Sequence, residues 1–125
     1  MLDRLEADYD NLRAALAWLI EQRRADEAAR MVHRLIGLFN IRHPREGFAW
    51  FEQVVAIAGD LPVRSRARLL GDTAWAAMNA GDEGDALLRY ASEAVEVGGD
   101  VAPAIAHWLL SRRLLMATVG LRRGR

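Results

Sequence analysis

The sequence contains no cysteine, no lysine and only three prolines among its 125 residues. Without cysteine, the chain can form no disulfide, thiolate zinc site or cysteine nucleophile. Without lysine, it cannot form a phosphate-binding loop of the kind that ends in Lys followed by Ser or Thr. Three prolines and ten glycines are also too few for a loop-rich β architecture. These shortages favour a helical protein with no nucleotide-binding loop of its own.

Charge and hydropathy exclude further classes. Seventeen basic and seventeen acidic residues cancel, so no global field attracts nucleic acid or an acidic membrane. No apolar run approaches the roughly 20 residues that a bilayer span needs, and the N-terminal stretch does not resemble a secretion signal. Every basic residue is arginine, which is typical of a GC-rich genome. We therefore expect a cytoplasmic, bacterial protein that has no membrane partner.

Apolar residues recur at intervals of three and four along the whole chain, as in Leu5, Tyr9, Leu12 and Leu16. This spacing predicts amphipathic helices. Because the connections are short, neighbouring helices should pack as antiparallel hairpins over about 3–42, 44–80 and 83–119, the last repeat being incomplete. The sequence thus predicts one all-α domain over residues 1–125, with six helices near 3–22, 26–42, 44–58, 63–80, 83–97 and 102–119.

A displacement of forty residues aligns the chain with itself. It places Trp50 on Tyr90 and Val55 on Val95, and it matches the two Gly-Asp breaks that begin at Gly59 and Gly99. A fixed period of this length is typical of solenoids, in which each hairpin buries its apolar face against its neighbours. The period predicts tandem antiparallel helical hairpins of the tetratricopeptide-like type.

Particular segments carry a family resemblance. They are the opening stretch 2–16, Arg42-His43, the stretch 45–50, the segment 66–71, Gly81-Asp82 and the segment 93–95. Together they resemble the tetratricopeptide-like region of large bacterial transcriptional regulators of the LuxR and AfsR type and of related predicted ATPases. The resemblance covers about 100 of the 125 residues, and the first 60 are its most specific part.

The resemblance implies a sensor or scaffold segment of a signal-transduction regulator. Its ATPase and DNA-binding domains would lie elsewhere, and its partner would be a protein, a peptide or another domain of that regulator. A truncated product without independent function is the plainer alternative.

Residues with catalytic or metal-binding chemistry are sparse. His33, His43 and His107 include no pair at the i, i+4 spacing of a zinc site, so we expect neither a metal nor another cofactor. Asp82 and Asp85 lie at a predicted helix start, where they would oppose the positive end of the helix dipole, and Asp26 is a plausible N-cap. We therefore expect no enzymatic activity.

Four tryptophans occur about once per hairpin, at Trp18, Trp50, Trp75 and Trp108. Such recurrent indoles usually pack between stacked helices, although Trp and Arg also anchor partners on binding surfaces. If a binding groove exists, the outer positions of the second and fourth predicted helices would contribute to it. The candidate partner-binding residues are His33, Arg34 and Arg68.

The last predicted helix suggests two further interactions. Its face formed by Ile105, Trp108, Leu109 and Leu115 would lack a covering helix, so we expect self-association there. The segment after Val101 has no acidic residue and carries five arginines. An alternative function is therefore nucleic-acid contact through Arg112, Arg113, Arg122 and Arg123, although the balanced overall charge makes nucleic acid the weaker hypothesis.

The nucleic-acid alternative makes a direct prediction. If these arginines contact phosphates, the chain should bind duplex DNA with an affinity that falls steeply as salt increases, because counterions are released on binding. Fluorescence anisotropy with labelled duplex over a salt series measures this. Lack of binding at low salt rejects the alternative.

Overall fold

The computed structural model describes residues 2–82 and 85–112. These residues form helices and short connections, with no strand among them, which confirms the predicted all-α class. The helices are α1 (Leu2–Ala7), α2 (Tyr9–Glu21), α3 (Ala25–Arg42), α4 (Pro44–Ala56), α5 (Val63–Asn79), α6 (Asp85–Gly98), a short 3-10 helix (Gly99–Val101), and the helical residues 104–112, called α7 here.

The first predicted helix is interrupted at Asp8. The Asp8 amide donates to the carbonyl oxygens of both Arg4 and Leu5, each at 3.2 Å, and α2 begins at the next residue. The interruption accompanies contact of α1 with α3, where Arg42 donates a 2.6 Å hydrogen bond to the Asp3 carboxylate. The prediction of one continuous helix was wrong, because apolar spacing persists across the interruption.

The turn between α2 and α3 depends on backbone geometry. Arg23 adopts a left-handed φ of 57°, and the amides of Arg23 and Arg24 close the end of α2 on the carbonyls of Ile20 and Leu19. This is the double hydrogen bond with which many helices end. Asp26 is not the N-cap that we predicted: Arg24 holds that position, and Asp26 lies in the first turn, where it pairs with Arg30.

Two predicted helix boundaries are confirmed, and one is shifted. Pro44 opens the first turn of α4. Gly81 closes α5 with a positive φ of 89°, while the Asp82 amide bonds to the carbonyl of Ala77. By contrast, α4 ends at Ala56, before the predicted Gly59-Asp60 stop.

The buried side chains form two hydrophobic clusters. The first joins α2, α3 and α4 around Leu16, Phe39 and Phe51. The second joins α5, α6 and α7 around buried residues that include Leu70 and Leu109. Helix α5 contributes to both clusters. Leu109 is therefore covered, and the expectation that it lies on an open face was wrong; Leu115 lies outside the described residues.

The tryptophans are mostly at the surface. Trp18 is 50%, Trp75 37% and Trp108 53% exposed, whereas Trp50 is half-buried against the first cluster. The prediction of interhelical packing therefore holds for Trp50 alone. Small side chains fill the core of α5 instead, since Ala67, Ala74, Ala76 and Ala77 are each fully buried.

Gly47 and Gly37 offer a matched test of this packing. A Cβ on Gly47 would lie 2.6 Å from Phe39 Cγ, whereas a Cβ on Gly37 would meet nothing within 4 Å. We expect Gly47→Ala to destabilise the fold by about 1–3 kcal/mol through overpacking. Gly37→Ala should instead stabilise it by up to about 1 kcal/mol through helix propensity. Urea unfolding measures both, and equal effects would contradict the packing of α4 on α3.

Candidate functional site

Of the three candidate partner-binding residues, His33 and Arg34 lie on different flanks of α3, and Arg68 lies on α5. His33 contacts α5 through Asp72, and Arg68, one turn earlier on α5, is close enough to help lower the pKa of Asp72. Arg34 instead lines a cavity between α3 and the N-terminal helices. The structure thus brings His33 and Arg68 together and places Arg34 apart from them.

His33 and Asp72 form a hydrogen bond between a half-exposed imidazole and a buried carboxylate. Asp72 is only 6% exposed, and the Nδ1–H of His33 donates a 2.6 Å hydrogen bond to its Oδ2. Burial raises the pKa of Asp72 above its ordinary value, and the nearby His33 and Arg68 offset only part of this effect. The pair connects α3 to α5 at a point where an unpaired charge would be costly.

An apolar groove lies on the other flank of α3. Its floor consists of Leu5 and Leu12 from the N-terminal helices and Met31 and Leu35 from α3. These side chains are partly buried except Leu35, which is buried. The groove has a volume of about 460 Å³, and a cavity of roughly 150 Å³ already admits a benzene-sized ligand. It is therefore large enough for about three aliphatic side chains.

The rim of the groove carries three charged residues, which differ in whether they form an ion pair. Arg30 pairs with Asp26, and Glu27 pairs with Arg24 at 3.0 Å. Arg34 is exposed and makes no ion pair with any residue that the structure describes. Within the part of the chain that the structure describes, the groove therefore presents an apolar floor beside an arginine that no carboxylate neutralises.

A polar cluster fastens α1 and α2 to the α3–α4 junction. The rings of Tyr9 and His43 stack with centroids 4.1 Å apart, and His43 Nε2–H donates a 2.7 Å hydrogen bond to Glu6. The Arg13 guanidinium lies 4.9 Å from the Tyr9 ring centre and pairs with Glu46 at 3.3 Å. Burial, followed by the Glu46 charge, raises the pKa of Tyr9. These contacts position the N-terminal wall of the groove.

The sequence signal for these contacts was incomplete. The pairing of Glu6 with His43 and of His33 with Asp72 joins residues 37 and 39 positions apart. Helical spacing cannot reveal such partners. The groove has a weak signal in Leu5 and Leu12, whose apolar spacing predicted a buried face that is only partly covered.

The arginine-rich segment is only partly described. The Arg112 guanidinium lies 5.7 Å from the Trp108 ring centre, and it donates to the Met78 sulfur at 3.4 Å. Arg113, Arg122 and Arg123 lie outside the described residues, as does the end of the last predicted helix.

The raised pKa of Asp72 makes a pH prediction. The stability that this residue contributes is complete below the ordinary Asp pKa of about 4 and is lost as pH rises through the higher folded-state pKa. The free energy of unfolding of the natural protein, relative to Asp72→Asn, should therefore fall as pH rises above about 4. Urea unfolding over a pH series measures this, with Asp60→Asn at an exposed position as control. A relative stability that rises with pH would contradict the assignment.

No described group of three or more His, Asp or Glu side chains is arranged to hold a metal ion. No helix within the described ranges is long and apolar enough to cross a bilayer. Comparisons with protein-family models, with curated proteins and with solved structures find no match for this chain.

Proposed function

We propose that the protein is a non-catalytic interaction scaffold built from tandem, tetratricopeptide-like helical hairpins. The observation that carries this proposal is the apolar groove of Leu5, Leu12, Met31 and Leu35 beside Arg34. An exposed apolar recess, bordered by a cation that has no ion-pair partner among the described residues, is the kind of surface on which proteins bind partners.

Contacts between next-but-one helices support the hairpin architecture. Arg13 of α2 pairs with Glu46 of α4, and the Tyr90 hydroxyl of α6 donates a 2.7 Å hydrogen bond to Glu52 of α4. His33 similarly joins α3 to α5. Tandem hairpins produce such contacts because equivalent helices of successive repeats lie side by side.

The wider role follows from the resemblance of residues 2–16 and 42–50 to bacterial regulators. In this proposal the chain is a cytoplasmic sensor or scaffold segment of a transcriptional regulator whose ATPase and DNA-binding domains lie elsewhere. The competing nucleic-acid function gains no particular support, because the one described arginine of its set, Arg112, lies against Trp108 and Met78.

A selection experiment tests the scaffold function. The full chain serves as bait for a displayed library of helical peptides about four turns long, near the length of a typical helix. We expect enriched peptides whose affinity falls at least tenfold with Leu12→Glu or Met31→Glu, because each substitution places a charge in the apolar floor.

Ala15→Glu is the matched control, because Ala15 is exposed on the same helix as Leu12. Circular dichroism must show that every variant keeps its helical content. Peptides that bind all three variants equally well, or a library that yields no binder, would overturn the proposed groove function.

A further inference from the structure

We propose that the groove recognises an amphipathic α-helix of another protein, which inserts aliphatic side chains between α2 and α3 and presents a carboxylate to Arg34. This inference rests on the proposed scaffold function and specifies the chemistry of its partner. Backbone pairing, the groove floor and the rim charges each support one part of it.

The secondary structure of the partner follows from the backbone of the groove. Its walls are α1, α2 and α3, whose interior amides and carbonyls are already paired within the helices. No strand edge exists in the described ranges to pair with an extended peptide. The groove therefore offers little backbone pairing to an extended peptide, whereas a helix satisfies its backbone hydrogen bonds within its own segment.

The apolar face of the partner follows from the floor. Leu5, Leu12, Met31 and Leu35 offer only aliphatic and thioether groups, in a volume of about 460 Å³. Anchors at i, i+3 or i+4, and i+7 of one helix would place about three aliphatic side chains there. The flexible thioether of Met31 can adjust to the shape of such anchors.

The charge of the partner follows from the rim. Arg30 and Glu27 are each satisfied by a neighbour on the same helix or turn. Arg34 makes no ion pair with a described residue, so it is the group that gains from an incoming carboxylate. A partner with a lysine at this point would meet uncompensated repulsion, and the rim therefore contributes to specificity.

The geometry of α3 also favours a helix at this place. Met31 and His33 lie about 160° apart around the helix, because each residue advances by about 100°. The His33 flank is joined to α5 through the hydrogen bond to Asp72, whereas the Met31 flank lines the groove. A bound helix would lie beside α3 on the side opposite α5 and so extend the same row of helices.

A charge exchange tests the inference. The probes are synthetic helical peptides with leucines at i, i+4 and i+7. Each peptide carries one glutamate next to this apolar face, and the series moves that glutamate from one position to the next. We expect Arg34→Glu to weaken the best peptide by roughly tenfold, because a reversed rim charge replaces attraction with repulsion. Replacing the glutamate of the peptide by lysine should restore affinity for Arg34→Glu while weakening binding to the natural protein.

Arg64→Glu is the control, because Arg64 is an exposed arginine of α5 that does not line the groove. Binding that needs Leu12 and Met31 but ignores the charge at position 34 overturns this inference and leaves the scaffold function standing. Binding that ignores all three positions overturns both. If light scattering shows dimers that Met31→Glu dissociates, the occupant is a second copy of the chain and the inference also fails.

Discussion

The burial of α5 is the constraint on which the rest of the fold depends. Leu69 and Ala76 of this helix belong to the first cluster, whereas Leu70, Ala74 and Ala77 belong to the second. A helix that is covered on several sides must carry small side chains wherever its neighbours come close. A Cβ at Gly71 would lie 2.9 Å from Pro103 Cγ, so the start of α7 is seated directly on the α5 backbone.

The burial of α5 also explains the hydrogen-bonded pair that Asp72 of this helix forms with His33 of α3. Asp72 lies between buried Gly71 and Thr73 and is itself buried. Its carboxylate is therefore shielded from the water that would hydrate it at the surface. The imidazole of His33 supplies the hydrogen bond that water no longer provides. The pair is therefore a consequence of placing α3 against α5, and it resists any displacement of one helix along the other. The Thr73 hydroxyl is satisfied within α5, by donation to the Leu69 carbonyl at 2.7 Å.

The sequence predicted those features that depend on local chemistry. Apolar spacing located the helices, Pro44 opened α4, and Gly81 closed α5 with the positive φ that glycine adopts easily. It failed where tertiary contacts decide. The interruption at Asp8 occurs where α1 contacts α3, and Arg23 takes a left-handed conformation without being glycine.

The candidate site depends on both kinds of information. Arg34 was predicted to be a partner-binding residue; it lines the groove, and its part in binding stays a prediction. His33 was also expected there, but its ring is committed to a carboxylate 39 residues away, which no local pattern reveals. The tryptophans were misjudged because spacing along the chain does not show which face of a helix is covered: Trp75 is 37% exposed, while its neighbours Ala76 and Ala77 are fully buried.

Under the proposed function, the two flanks of α3 would divide stability from recognition. On one flank, the buried Asp72 is held by a hydrogen bond from the half-exposed His33, and we expect a change there to alter the free energy of unfolding. On the other, Arg34 is exposed and unpaired among the described residues, so its substitution costs the fold little. If the proposed scaffold function is right, a substitution at Arg34 would change the charge of the rim, and hence the preferred partner, while the contact between α3 and α5 stays the same.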